Sequence, residues 1–174
     1  MKVNYSSLTS KIKADERFAS YEASLNRYNI KKILDECESY HQMLMAKAKP
    51  IRAHMTPEQI VAVVNVLFER QSLRDNLVSH LITAKRLLSE LTLKTETLLE
   101  IITIEFAPSL ANVSRTATER KAFVKAMLQD GYSKQTNLKM GVEQIELYLA
   151  NLDQGYWSFQ NAVKVLELLH KRGV

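Results

Sequence analysis

The sequence predicts an all-α protein, an elongated antiparallel helical bundle or coiled coil with two long helices and two or three shorter ones. Three observations lead there. The first glycine is Gly131, and only Pro50, Pro57 and Pro108 punctuate the 130 residues before it. Two long segments carry apolar residues in alternating steps of three and four, the period of one face of a helix in a coiled coil. Nowhere do apolar residues alternate over four to eight positions between turn signals, as a half-buried strand requires. The whole chain is read as one all-helical domain, residues 1–174.

In residues 1–55, Phe18, Tyr21, Leu25 and Tyr28 form one apolar series and Ile30, Ile33, Cys37, Tyr40 and Leu44 form a second, shifted one. The phase slips between Asn26 and Asn29. A short helix followed by a longer one capped at Asn29 accounts for this, as does one helix with an irregularity.

Residues 56–107 are the clearest element. Thr56-Pro57-Glu58-Gln59 supplies a capping hydroxyl, a proline at the first helical position and a glutamine three residues after the cap. Ile60, Val63, Leu67, Leu77, Leu81, Ala84, Leu88, Leu91, Thr95, Leu98 and Ile102 then make a heptad stripe, which lands on Arg70 and Arg74 in between. Unbroken, this helix would be about 75 Å long at 1.5 Å per residue, with Pro108 as its stop. A shift of packing to Val66, Leu73 and Leu77 accommodates the two arginines, with Glu69 or Asp75 as surface partners. Carboxylates or phosphates of a binding partner are the sharper reading.

Thr116 followed by Glu119 is a capping box that opens a short helix over residues 114–131, with Gly131 as its expected end. The last helix, residues 132–173, carries Leu138, Val142, Ile145, Leu149, Leu152, Tyr156, Phe159, Val163, Leu166 and His170 in unbroken four-three alternation. Gly141 and Gly155 flank that stripe on one face with Tyr148 and Ala162, so a neighbouring helix has room to approach. With Tyr156 and Phe159 assigned to the core stripe, Trp157 is the aromatic expected to be free. A helix of about 50 residues is too long for one ordinary neighbour to cover, so either the last helix folds back along it or another subunit does, and a homo-oligomer is expected.

Composition narrows the function classes. Phosphate-cradling loops and nucleophile elbows need glycine where φ > 0, and no such motif is present. Cys37 lies on an apolar stripe, where a thiol serves as a small hydrophobe. The chain is therefore expected to be no enzyme and to carry no cofactor. Glu38-x-x-His41 and Glu167-x-x-His170 are the spacing that di-metal carboxylate bundles use. With fourteen glutamates and four histidines such pairs arise by chance, and the di-metal bundle is a remote alternative. No apolar run approaches the ~20 residues that span a bilayer, and the N-terminus lacks the apolar core of a secretory signal. A single cysteine agrees with a cytoplasmic protein that does not bind membranes.

The net charge is +5, and its distribution points to a polyanion. Lys47, Lys49 and Arg52 lie in a stretch from Ser39 to Pro57 without an acidic residue. Between Phe106 and Val142, Arg115, Arg120, Lys121, Lys125, Lys134 and Lys139 face only Glu119 and Asp130. Cations that neutralise phosphates, beside aromatic faces that stack bases, are the chemistry of single-stranded nucleic-acid binding. Lys47, Lys49, Arg52, Arg115, Arg120, Lys121 and Lys125 are the candidate phosphate contacts. Arg70, Arg74 and Trp157 are the candidate partner contacts of an alternative reading, a structural or adaptor protein of a virion or a regulatory complex.

The segment VEQIELYLANLDQGYWSFQNAVKVLEL, Val142 to Leu168, resembles the closing helix of phage recombination mediators of the T-even type, the UvsY-like proteins. A run of apolar residues leads there to an aromatic, a polar Asn/Ala stretch and a last apolar turn, here Tyr156, Asn161, Ala162 and Val163. The resemblance covers about 27 residues, and Lys47 to Arg52 is the distant counterpart of that family's earlier basic segment. It implies a small helical oligomer, in a host cytoplasm, that binds single-stranded DNA and helps load a recombinase.

Overall fold

The computed structural model describes residues 5–46 and 56–171, and among these residues all regular structure is helical. The elements are α1 (Tyr5–Lys13), α2 (Glu16–Ser24) with a 3₁₀ turn at Leu25–Arg27, α3 (Lys31–Ala46), α4 (Pro57–Glu105), α5 (Ala107–Ala111), α6 (Ala117–Met127) and α7 (Gln129–Lys171). The all-α expectation and the two long helices hold, with α4 of 49 residues and α7 of 43. Five short helices accompany them rather than two or three. No helix among the described residues is long and apolar enough to cross a membrane.

The extra helices come from breaks that periodicity hides. Between α1 and α2 the side chain of Asp15 accepts the Arg17 backbone N–H at 2.9 Å and caps α2, so the chain turns where no proline or glycine marks it. The phase slip near Asn26 is the 3₁₀ turn, closed by the Tyr28 N–H on the Leu25 carbonyl. Pro108 sits in the first turn of α5, after α4 has stopped at Glu105 and Phe106 has left helical geometry. The caps read from sequence are in place. The Thr56 N–H donates to Gln59 Oε1 at 3.0 Å, and at the start of α6 the Thr116 hydroxyl accepts the Glu119 backbone N–H while the Glu119 carboxylate accepts the Thr116 backbone N–H.

Gly131 does not end a helix. It is the third residue of α7, and α6 stops earlier, at Met127. The glycine answers a packing need instead, because a methyl there would overlap the Tyr21 hydroxyl and lie 3.3 Å from Thr95 Oγ1.

The chain divides into two compact units. Unit 1 comprises Met1–Ile30 and Ala84–Met140. Its core holds Leu8, Ile12, Phe18, Leu91, Ile102, Leu110, Val124, Leu128 and Leu138, all at most 1% exposed. Thr95 is polar and fully buried on the α4 stripe, and Ser114 is polar and buried as well. Thr95 Oγ1 donates to the Leu91 carbonyl at 2.8 Å, which leaves a lone pair for the Tyr21 hydroxyl, also at 2.8 Å. At the other end of α2, Arg17 bridges Asp15 and Glu105, with 2.7 Å from Arg17 Nη1 to Glu105 Oε1. Tyr28 donates to Glu90 at 2.8 Å, and Lys94 lies 5.5 Å from the Tyr28 ring centre.

Unit 2 comprises Lys31–Thr83 and Gly141–Val174, with Cys37, Leu44, Leu77, Val142, Ile145 and Leu152 buried. Here α3 lays the His41 ring on Tyr148 of α7 at 4.6 Å and the Tyr40 ring on His80 of α4 at 5.9 Å. Glu36 lies 3.3 Å from His80 Nε2. Arg74 of α4 meets Asp153 of α7 at 2.9 Å, and Arg70, one turn earlier, meets Gly155, two residues later. Numbering falls along one helix as it rises along the other, so α4 and α7 run antiparallel in this unit.

Candidate functional site

Charge is unequally shared between the units. Unit 1 holds 14 Lys and Arg against 9 Asp and Glu, and unit 2 holds 10 against 10, so the whole net charge of +5 belongs to unit 1. Four of the candidate phosphate contacts, Arg115, Arg120, Lys121 and Lys125, fall in this unit. The other three, Lys47, Lys49 and Arg52, lie outside the described residues.

The capping box of α6 decides how the four are presented. Thr116 and Glu119 turn the chain sharply, and the Arg120 guanidinium folds back over that turn, donating to the carbonyls of Ser114 at 3.1 Å and Arg115 at 3.3 Å. Arg120 is thereby committed to holding the loop that carries Arg115. Arg115, Lys121 and Lys125 are exposed. Lys121 and Lys125 are one helical turn apart and so share a side of α6, with Arg115 just before its start. The side chains of Arg115 and Lys121 form no ion pair among the described residues, although the Arg115 backbone N–H donates to the Glu119 carboxylate at 3.0 Å. Long, flexible cations in this state keep their hydration until a phosphate displaces it.

Aromatic faces accompany them. Lys125 Nζ lies 5.9 Å from the centre of the Tyr132 ring, whose hydroxyl is raised above its ordinary pKa by burial. Tyr5, half exposed at 52%, packs on Phe123 with ring centres 5.6 Å apart and donates to the Val113 carbonyl at 2.6 Å. This ties α1, with Lys11 and Lys13 in its last turn, to the chain around α6. The sequence reading missed Tyr5, which is far from α6 along the chain, and Tyr132, although it stands between Lys125 and Lys134.

The partner-contact candidates lie in unit 2, around a cleft of about 450 Å³ between α4 and α7. Val64, Leu67, Phe68, Arg70, Arg74, Leu152, Asp153 and Tyr156 line it. Arg74 is paired with Asp153 rather than with Glu69 or Asp75, and that hydrogen bond raises its pKa. Leu73 and Val66 take half-buried positions and Leu77 is fully buried, the shift of packing that the two arginines require. Tyr156 departs from its expected core position at 49% exposure, and Trp157 is 64% exposed. Phe68, 72% exposed, went unflagged because it lies off the heptad stripe. Gly155 leaves room for the Arg70 guanidinium, with 2.8 Å between Arg70 Nη2 and the place a methyl would take.

The Glu-x-x-His pairs find other uses. Glu38 accepts the Gln42 amide at 3.2 Å and His41 stacks on Tyr148, while the side chains of Glu167 and His170 are outside the described set. Among the described residues no three His, Cys, Asp or Glu converge as metal ligands. Comparison with family models, curated proteins and solved structures finds no match to this chain.

Proposed function

We propose that this protein is a non-enzymatic, oligomeric helical binding subunit of a cytoplasm that holds single-stranded nucleic acid on the basic face of unit 1. The observation that carries the reading is the confinement of the entire +5 charge to unit 1, with Arg115, Lys121 and Lys125 exposed around α6. Phosphate neutralisation by such cations releases condensed counterions and supplies the larger part of sequence-independent affinity. Tyr132 and the Tyr5–Phe123 pair add faces on which bases stack. The resemblance of Val142 to Leu168 to phage recombination mediators points the same way.

Fluorescence anisotropy with a labelled oligo-dT, titrated between 50 and 200 mM salt, tests this. On a single strand each phosphate contact adds about 0.7 to the slope of log affinity against log salt. The triple variant Arg115→Gln, Lys121→Gln, Lys125→Gln is therefore expected to flatten the slope by about 2. An unchanged slope in the variant, or no binding by the parent at 50 mM salt, overturns the reading. The alternative, an adaptor that binds other proteins through helical faces, draws on Phe68, Tyr156 and Trp157 of unit 2.

A further inference from the structure

We infer that the cleft between α4 and α7 in unit 2 docks an acidic amphipathic helix of another protein, with Arg70 as the donor that pairs its carboxylate. The chemistry of the cleft selects this occupant. Its floor is apolar, with Leu67, Leu152 and the exposed faces of Val64, Phe68 and Tyr156. Two antiparallel helices leave between them a groove that a third helix fills with anchors at i, i+3 or i+4 and i+7.

The two arginines of the cleft differ in a way that fixes the charge of the ligand. Arg74 already has its carboxylate, Asp153, at 2.9 Å. Arg70 has no acidic partner among the described residues, and yet its guanidinium is seated against Gly155 rather than extended into water. Glycine inside a helix costs stability relative to alanine. At position 155 that cost makes room for an unpaired cation at the edge of an apolar surface. A carboxylate supplied from outside completes the pair, in surroundings where a docked helix excludes water and strengthens it.

The same surroundings disfavour a polyanion. Unit 2 is neutral, with 10 cations against 10 anions, and Asp153 stands in the cleft wall. One carboxylate beside apolar anchors is matched there by Arg70, whereas a run of phosphates finds a single guanidinium, Arg74 being held by Asp153. This inference stands independently of the nucleic-acid reading, since it shares no residue with the α6 surface.

The chain has a single tryptophan, Trp157, next in sequence to Tyr156 of the cleft, and its emission reports occupancy. The probe is a synthetic Trp-free amphipathic helix of about 20 residues, with Leu and Phe on one face and a flanking line of Glu, against an otherwise identical peptide with Gln. The full-length protein is expected to bind the Glu peptide at least about tenfold more tightly than the Gln peptide. Arg70→Gln is expected to abolish that preference, Arg70→Lys to keep part of it, and Phe68→Ser to weaken both peptides. Both sites are at the surface or half-buried, and circular dichroism confirms that the variants fold. Equal affinity for the two peptides overturns the inference, as does the absence of any emission change with either. Displacement of the Glu peptide by oligo-dT, in a manner that depends on Arg70, assigns the cleft to nucleic acid and equally overturns it. Loss of oligo-dT binding in the α6 triple variant leaves the peptide result untouched, so the two readings fail separately.

Discussion

Replacing Gly131 by alanine should destabilise the protein, against the ordinary expectation for an alanine introduced into a helix. Helix propensity alone predicts a gain of about 1 kcal/mol. The structure reverses the sign, because the new methyl would overlap the Tyr21 hydroxyl. Tyr21 is only 7% exposed, and its hydroxyl donates to Thr95, which is fully buried and has already given its own proton to the Leu91 carbonyl. Tyr21 must retreat and leave a buried hydroxyl without an acceptor, at about 1–3 kcal/mol. Overpacking adds about 1–3 kcal/mol. Set against the propensity gain, the net loss is about 3 kcal/mol, or a fall in Tm of about 6–12 °C for a chain of this size. Urea and thermal unfolding followed by circular dichroism measure it. Tyr21→Phe removes the obstructing oxygen and leaves Thr95 satisfied by Leu91, so the double variant should lose at least about 1 kcal/mol less than the two single losses added together. A neutral or stabilised Gly131→Ala variant, or strict additivity with Tyr21→Phe, refutes the reasoning.

Two further outcomes follow from charge and burial. Asp15 is held down to about 2, chiefly by the hydrogen bond from the Arg17 side chain, and the same guanidinium lowers Glu105. Both folded-state values lie below the unfolded ones, so this stabilisation is complete above about pH 5 and is lost as pH falls toward 2. The stability gap between the parent and Arg17→Gln should therefore narrow over that window in urea titrations at stepped pH, and a gap independent of pH would contradict the bridge. Burial pushes the Cys37 thiol up to about 11, so a disulfide reagent at pH 8 should modify it only as fast as the protein opens. Rapid stoichiometric labelling of the native protein would show the thiol to be accessible.

The heptad stripe of α4 was legible in its second half, whereas Val63, Leu67, Leu81 and Leu88 are half-buried. Leu77, Ala84, Leu91, Thr95, Leu98 and Ile102 are all buried, and the caps at Thr56 and Thr116 form as their spacing requires. Burial of one face and satisfaction of the first N–H groups are local demands with a fixed period, and a single sequence displays them. The break at Asp15 escaped because its cap is a short side chain inside a polar run, without a proline or glycine. Position 131 was misread for a related reason. Glycine is common at helix ends, and its packing role appears only once Tyr21, 110 residues away, is placed against it. At the candidate sites, residue type marked the cations and spatial pairing sorted them. Arg120 and Arg74 are spent on the Ser114 carbonyl and Asp153, while Arg115, Lys121, Lys125 and Arg70 stay available.

From its amino acids alone this chain determines that it is helical, that two of its helices are long, where α4 starts and which face of α4 is buried between Leu77 and Ile102, since periodicity and capping act over a few residues. Only the tertiary structure decides which cations keep their charge for a partner and why a glycine stands at 131 and at 155. Those answers depend on groups far apart in sequence, and the energy of an ion pair or a steric contact falls off over a few ångströms of space, whatever the distance along the chain.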